Sequence, residues 1–240
     1  MYVTGWELVA VLVVIVAGAC LQGSIGFGMS VLSLPFFIFI EPDLLPQSML
    51  VASLPFVVLM AIRNWGEFQW REVIVLSLAR IPGAVAGVFA VRMLSQDAIA
   101  VAAASGVIAA VALSAWAPAV KRTLPVLTTA GFTSGLFGTA AAIGGPPMAL
   151  VFQRETGPRI RSTMSIMATV SITIALTSLS FGGQIQSEDF VTGLVMAPAS
   201  IVGLGLSRFV IPYSDRRLRT LVLLVCAVAA AAAIAKVVLT

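Results

Sequence analysis

Two glycine-rich interruptions of apolar segments are the places where the backbone of this chain could do chemistry. The first covers residues 22–28 and precedes Pro35, and the second covers residues 135–147 and ends in Pro146 and Pro147. Glycine lets a ligand approach the backbone closely, and proline frees a helical carbonyl one turn earlier. The exposed N–H groups and helix dipole at such a break attract an anion without any basic side chain. The pattern therefore predicts an anion-binding site.

Neutral hydrogen-bonding side chains surround both interruptions. The candidate substrate-binding residues are Gln22, Gly23, Ser24, Gly26, Gly28, Ser30, Pro35, Arg80, Thr133, Ser134, Gly138, Thr139, Gly144, Gly145, Pro146 and Pro147. Glycine and serine also permit close helix packing in membranes, which is the alternative interpretation of one isolated break. Two equivalent breaks favour a transporter site. Gly18, upstream of the first break, is expected to tolerate alanine.

Arg80 is the charged residue that lies well inside an apolar segment, near the middle of 71–93. An arginine at such depth costs about 2.5–3.5 kcal/mol or more unless it is paired or hydrated. No acidic residue lies at a similar depth in any segment, so the counter-charge of Arg80 could be the substrate. The alternative is that its side chain snorkels or bonds freed backbone carbonyls.

The composition indicates an integral membrane protein and argues against an enzyme. The chain has 60% hydrophobic and 10% charged residues, whereas soluble domains have about 25% charged residues. It contains no histidine, the commonest metal ligand and general base. We therefore predict no enzymatic activity, metal or cofactor. The net charge is +4, and the basic residues that produce it lie in short loops. Membrane topology explains this placement better than nucleic-acid binding does.

The fold class predicted is all-α, with about eight hydrophobic segments arranged as two repeats of four. The segments cover residues 6–40, 46–62, 73–93, 97–117, 124–152, 162–181, 190–211 and 218–239. Shifting the second half back by 112 residues aligns Gly135, Gly138 and Pro147 with Gly23, Gly26 and Pro35. We therefore predict an N-terminal repeat over residues 1–120 and a C-terminal repeat over 121–240 within one compact membrane domain.

The two interrupted segments are either single broken crossings or re-entrant hairpins. Residues 6–40 as one helix would extend roughly 50 Å, against about 30 Å of hydrocarbon. Single crossings divide the basic residues eight to five between the two sides. Hairpins divide them eleven to two: only Arg92 and Lys236 oppose Arg63, Arg71, Lys121, Arg122, Arg154, Arg159, Arg161, Arg208, Arg216, Arg217 and Arg219. The positive-inside rule therefore favours hairpins, inverted halves, cytoplasmic basic loops and termini outside.

The residues of both interruptions resemble a known family. The stretch from Ala19 to Pro35, with its Gln-Gly-Ser-Ile-Gly-Phe-Gly core, is similar to the first signature of TauE/SafE sulfite and organosulfonate exporters. Residues 131–147 resemble its second signature, and Gly157-Pro158-Arg159 its following loop. The chain departs from the commoner pattern at residues 139–142, where many relatives carry more glycines.

The resemblance implies a transporter of small anions in the inner membrane. Its members differ in substrate and direction, so the anion is not defined. We expect export of sulfite or an organosulfonate by alternating access, with the small anion and the lipid bilayer as partners; a homo-oligomer is possible. The alternatives are a passive anion channel, an anion importer of the same fold, and a membrane scaffold protein.

Overall fold

The computed structural model describes residues 5–26, 28–66, 68–116, 121–152, 157–213, 227–232 and 234–236, and within these ranges it is helical without strands. The helices are α1 (Trp6–Ile25), α2 (Met29–Ile40), α3 (Gln47–Arg63), α4 (Trp70–Met93), α5 (Gln96–Trp116), α6 (Leu124–Ala140), α7 (Gly145–Val151), α8 (Gly157–Phe181) and α9 (Ser187–Val210). Single 3-10 turns follow α2 and α9, and residues 227–232 and 234–236 are helical.

Four described helices are long and apolar enough to cross a membrane. They are α1, α4, the part of α8 from Arg159 to Phe181, and α9, with mean hydropathies of 1.7–2.5. The outward face of α4 exposes Leu78 and Phe89, which suits contact with lipid rather than water. The chain is thus an all-helical, multi-pass membrane protein. Most of the predicted segment 218–239 lies outside the described residues, as do Arg154, Arg216, Arg217 and Arg219.

The structure interrupts both long segments where the glycines predict. In the first, α1 ends before Gly26 and α2 begins after Gly28, and these glycines have φ angles of +101° and +125°. Side chains with a Cβ rarely adopt these angles. In the second, α6 ends at Ala140, and α7 begins at Gly145 after a turn in which Ala142 has a φ of 57°.

Glycines bring two pairs of helices into backbone contact. The helices α4 and α6 approach so closely that a Cβ on Gly83 would clash with the carbonyl of Phe132. Similarly, α9 lies along α1, where a Cβ on Gly203 would lie 2.7 Å from the Cβ of Ala19. Such close contact is the usual role of small residues in membrane helices, and it fixes α4 against α6 and α1 against α9.

Gly18 also lies in a tight contact, which argues against the expectation that alanine there has only a mild effect. A Cβ there would lie 2.7 Å from Ser33 Oγ and 3.0 Å from the carbonyl oxygen of Met29. Ser33 and Met29 belong to α2, which folds back against α1 after the first interruption. The sequence shows no sign of this contact because it joins residues eleven and fifteen positions apart across a break.

One end of the molecule joins the loop between α3 and α4 to the start of α6, the end of α7 and the start of α8. Arg122 Nη1 lies 3.1 Å from Glu72 Oε2, and Arg122 Nε donates to the carbonyl of Val151 at 3.3 Å. Asn64 Nδ2 donates to Ser165 Oγ at 3.0 Å. We call this the Arg122 end.

The opposite end joins the start of α3 to the connections around α8 and α9. Gln47 Nε2 donates to the carbonyl of Gln184 at 3.1 Å, and Arg92 Nη2 donates to that of Gly182 at 2.6 Å. Lys236 Nζ lies 3.2 Å from the carbonyl oxygen of Phe39, at the end of α2. The middle of the molecule lies between these two ends and contains the central turns of α3, α4 and α8.

Candidate functional site

A cavity of about 70 Å3 lies between the two interruptions, at the level of the central turns of α3, α4 and α8. Both breaks contribute to its wall, together with residues of these three uninterrupted helices. The candidate residues that line it are Gln22, Gly26, Gly28, Ser30, Arg80, Gly138, Gly144 and Gly145. The fold therefore brings half of the sixteen candidate residues to one cavity.

Arg80 supplies the positive charge of this cavity. Its side chain is 1% exposed, yet it reaches the wall from the middle of α4. Nη1 donates to Ser134 Oγ at 2.7 Å, and Nη2 donates to the main-chain carbonyl of Ser134 at 2.8 Å. Nε has no hydrogen-bond partner, and no acidic side chain of the described residues forms an ion pair with Arg80. The guanidinium charge is therefore buried without a counter-charge.

Two glycines make room for the guanidinium. A Cβ on Gly138 or on Gly144 would clash with Arg80 Nη2, so a side chain at either position would require the guanidinium to move. Ser134 Oγ also donates to the carbonyl of Gly144, which ties the end of the second interruption to α6. Arg80, Ser134 and the two glycines therefore form one packed unit that shapes the cavity wall.

Gln22 bridges the first interruption. Its Oε1 accepts a hydrogen bond of 3.0 Å from the N–H of Met29, the first residue of α2. One of the four first-turn N–H groups of α2, which lack partners within the helix, is thus satisfied by a side chain. The following residues, Ser30 and Val31, line the cavity.

Residues 10–233 of the chain match the family described as sulfite exporter TauE/SafE. The chain belongs to this family. The match extends over both interruptions and all nine described helices except short terminal stretches, so the family resemblance of the two signatures is confirmed. Searches of curated proteins and of solved structures find no significant match. Membership implies a membrane exporter of sulfite or a related anion, and therefore a transporter rather than an enzyme.

Several candidate residues of this TauE/SafE protein do not line the cavity. Because α1 remains helical to Ile25, Ser24 faces α9 and donates to the carbonyl of Ser207 at 3.2 Å. Gly23 faces α9 too, and its carbonyl accepts a bond of 2.8 Å from Arg63 Nη2. Both residues therefore join helices.

At the second interruption, too, some candidate residues lie on helix faces that do not line the cavity. Thr133 points away from the cavity and donates to the carbonyl of Thr129 at 2.8 Å. Thr139 is fully buried where α6 meets Gly87 of α4, and its hydroxyl has no partner. Ser134 lies just behind the wall and acts on it through Arg80 and Gly144.

Pro35 and Pro147 do not line the cavity either. Pro35 is buried inside α2, where it leaves the carbonyl of Val31 without its helical donor, and Val31 does line the cavity. Pro147 is half-buried and outside the lining. Pro146 begins α7 beside Gly145, and its side chain lies outside the described part of the chain.

The lining residues that the sequence does not predict come mainly from the two uninterrupted helices α3 and α8. On α8 the lining positions are 164, 167, 168, 171 and 172, which is one helical face. The polar additions are Ser53 and Ser171, and the methionines are Met29, Met148, Met164 and Met167. The helical spacing of these positions was the available signal, but it is the same for ordinary core packing.

The groups in the wall are of the kinds that bind anions. The wall combines one guanidinium, neutral hydroxyl and amide groups, exposed glycine backbone and apolar side chains. Among the described residues, no group of three or more His, Cys, Asp or Glu could hold a metal ion. No lining side chain is a carboxylate, so a cation would find no charged ligand there.

Proposed function

We propose that the protein is a secondary transporter that exports a small anion, sulfite or an organosulfonate, through the cavity between the two interruptions. The observation that carries the proposal is Arg80, a buried guanidinium that lines the cavity and has no carboxylate partner among the described residues. Charged residues inside membranes are costly and mark substrate pathways. The anion would be its counter-charge when bound.

The cavity has room for a small anion. Its volume is about 70 Å3, several times the roughly 10–15 Å3 that one water molecule needs. The hydroxyls of Ser30 and Ser171 and the amide of Gln22 can donate to oxygen atoms of such an anion. The backbone of both interruptions contributes further donors, as in transporters with discontinuous helices.

We infer that both interrupted segments are re-entrant hairpins. The bond from Arg122 to the carbonyl of Val151 supports this for the second segment, because its first and last residues then lie at the same end. In the first segment, the contact of Gly18 with Ser33 supports a chain reversal. The Arg122 end, with Arg63 and Arg161, would be the cytoplasmic side of an inner membrane.

The two halves, residues 1–120 and 121–240, would be inverted repeats. The packing of α1 along α9 and of α6 along α4 supports this assignment, since exchanging the halves converts one pair into the other. The cavity would then lie at the repeat interface near the midplane, where alternating access needs it. Export agrees with the inside-negative potential, which favours anion efflux by about 2.3 kcal/mol per charge per 100 mV.

A ligand screen tests the proposal. Detergent-purified protein is heated with sulfite, sulfate, thiosulfate, sulfoacetate, taurine or short carboxylates. We expect at least one small anion to raise Tm in a concentration-dependent manner, because a ligand that binds the folded state stabilises it. If no anion raises Tm or is transported, the protein is better described as a membrane scaffold.

A passive anion channel is the second candidate, since a channel could use the same cavity as a filter. Flux in proteoliposomes separates the two functions. A transporter saturates at low substrate concentration and is stimulated by anion on the opposite side, whereas channel flux stays nearly linear with concentration. The same assay, with a set potential, separates an exporter from an importer.

A further inference from the structure

The cavity contains one positive charge and no negative charge from the described residues. Arg80 is the charged residue in its lining. The helices α2, α6 and α7 contain no charged residue. On the other helices around the cavity, the charged residues lie in the first or last turns and are Glu7, Arg63, Arg71, Glu72, Arg92, Arg159 and Arg161. The site is therefore electrically neutral when one singly charged anion is bound.

The two cations nearest the first interruption do not alter this balance inside the cavity. Arg63 is bound to the carbonyls of Gly23 and Leu204 and to Ser207 Oγ, at 2.8–2.9 Å. Arg161 lies beyond Gly26, where an added Cβ would be 4.0 Å from Arg161 Cα. Neither side chain lines the cavity. Charges outside a binding site raise the encounter rate of an anion more than its bound-state affinity.

The wall is poorly suited to replace the hydration shell of a doubly charged anion. Four methionines and the side chains of Val31, Leu50, Val57 and Ile172 form much of it. The cost of removing an ion from water grows with the square of its charge, whereas its attraction to one guanidinium grows only linearly. A second negative charge therefore adds more desolvation cost than attraction.

We propose that the cavity selects singly charged anions, such as hydrogensulfite or a monosulfonate, over doubly charged anions of the same shape. The inference rests on the proposed function, because it defines the substrate class of that site. It excludes the sulfite dianion, sulfate and disulfonates as good substrates of this protein. Protonation of sulfite would then control how much of the total is transported.

An isosteric ligand pair tests the selectivity with the wild-type protein. Methanesulfonate carries one charge at all relevant pH values, and methylphosphonate has nearly the same shape but gains a second charge near neutral pH. We expect methanesulfonate to bind at least about tenfold more tightly at about pH 9, and the ratio to fall towards one at about pH 6. Calorimetric titration measures both Kd values. Equal or tighter binding of the methylphosphonate dianion would overturn the inference.

A second experiment measures how Kd for sulfite depends on pH. Methanesulfonate is the control, because a change in its Kd would come from groups of the protein that titrate. Above the pH at which hydrogensulfite loses its proton, Kd for total sulfite should rise about tenfold per pH unit, while that of methanesulfonate stays constant. A sulfite Kd that is independent of pH would contradict the inference and leave the transporter assignment intact. Failure of both anions to bind in either charge state would overturn the proposed function, and the inference with it.

Discussion

Arg80 donates to both the hydroxyl and the main-chain carbonyl of Ser134, at 2.7 and 2.8 Å. The two residues belong to α4 and α6, which are in backbone contact along their length. Because Ser134 Oγ also donates to the carbonyl of Gly144, hydrogen bonds join the guanidinium, α6 and the second interruption. An event that displaces Arg80, such as the arrival of an anion, would therefore be transmitted to the break.

Removing the charge of Arg80 should weaken anion binding while leaving the protein folded. Arg80→Gln is expected to raise the anion Kd about tenfold or more. The variant also loses charge-assisted hydrogen bonds, which contribute about 1.5–3 kcal/mol each, so a lower Tm is expected as well. Calorimetry and thermal unfolding separate the two effects.

Arg80→Lys is the matched variant, because it keeps the charge but loses the planar fork that reaches both acceptors of Ser134. We expect it to recover part of the affinity. An unchanged Kd in the glutamine variant would assign Arg80 a purely structural role.

Gly138→Ala tests whether the guanidinium position matters for binding. The new methyl group would displace Arg80 Nη2, the end of a flexible side chain, so the fold should survive while the cavity loses its cation. We expect weaker anion binding with Tm within a few degrees of wild type. Gly205→Ala is the control, because a Cβ there has no atom within 4 Å and should stabilise α9 by up to about 1 kcal/mol. Equal affinity in both variants would contradict the proposed arrangement.

Gly26→Ala tests the conformation of the first break. Its φ of +101° is unfavourable for alanine, at a cost of about 1–2 kcal/mol, whereas the added Cβ would meet Met164 only at 3.6 Å. Gly183, with a φ of +64° and no atom within 4 Å of an added Cβ, provides a control for strain far from the cavity. We expect both variants to lower Tm, but only Gly26→Ala to weaken anion binding. Loss of affinity in Gly183→Ala would attribute the effect to general destabilisation.

The sequence predicts the breaks and the buried cation well because glycine, proline and arginine are conspicuous in apolar helices. It does not predict well in which direction neighbouring side chains point. The glycine pattern predicts unwound backbone throughout each interruption, but α1 continues to Ile25, so Gln22 and Ser24 point in different directions. Ser53 and Ser171 could not be predicted because a serine in an unbroken helix has the same pattern whether it lines a cavity or packs against a neighbour.

The hairpin topology predicts that the loops around Arg63, Arg122 and Arg159 face the cytoplasm. Single cysteines placed there in a variant without Cys20 and Cys226 should be shielded from an impermeant thiol reagent in intact cells. They should react after permeabilisation. Labelling of the Arg122 and Arg159 loops from opposite sides would exclude a hairpin in the second segment, because one crossing would then separate its ends.

The central claim is that a small anion crosses the membrane through the cavity between the two interruptions. Efflux of sulfite from proteoliposomes tests it most directly when wild type is compared with Gly144→Ala and Gly205→Ala. The first substitution places a methyl group against Arg80 Nη2 and 3.1 Å from Ser171 Oγ, inside the cavity, and the second faces open space. We predict saturable efflux for wild type and Gly205→Ala, and at least about a tenfold loss for Gly144→Ala at equal protein incorporation. Wild-type efflux in Gly144→Ala would contradict the account.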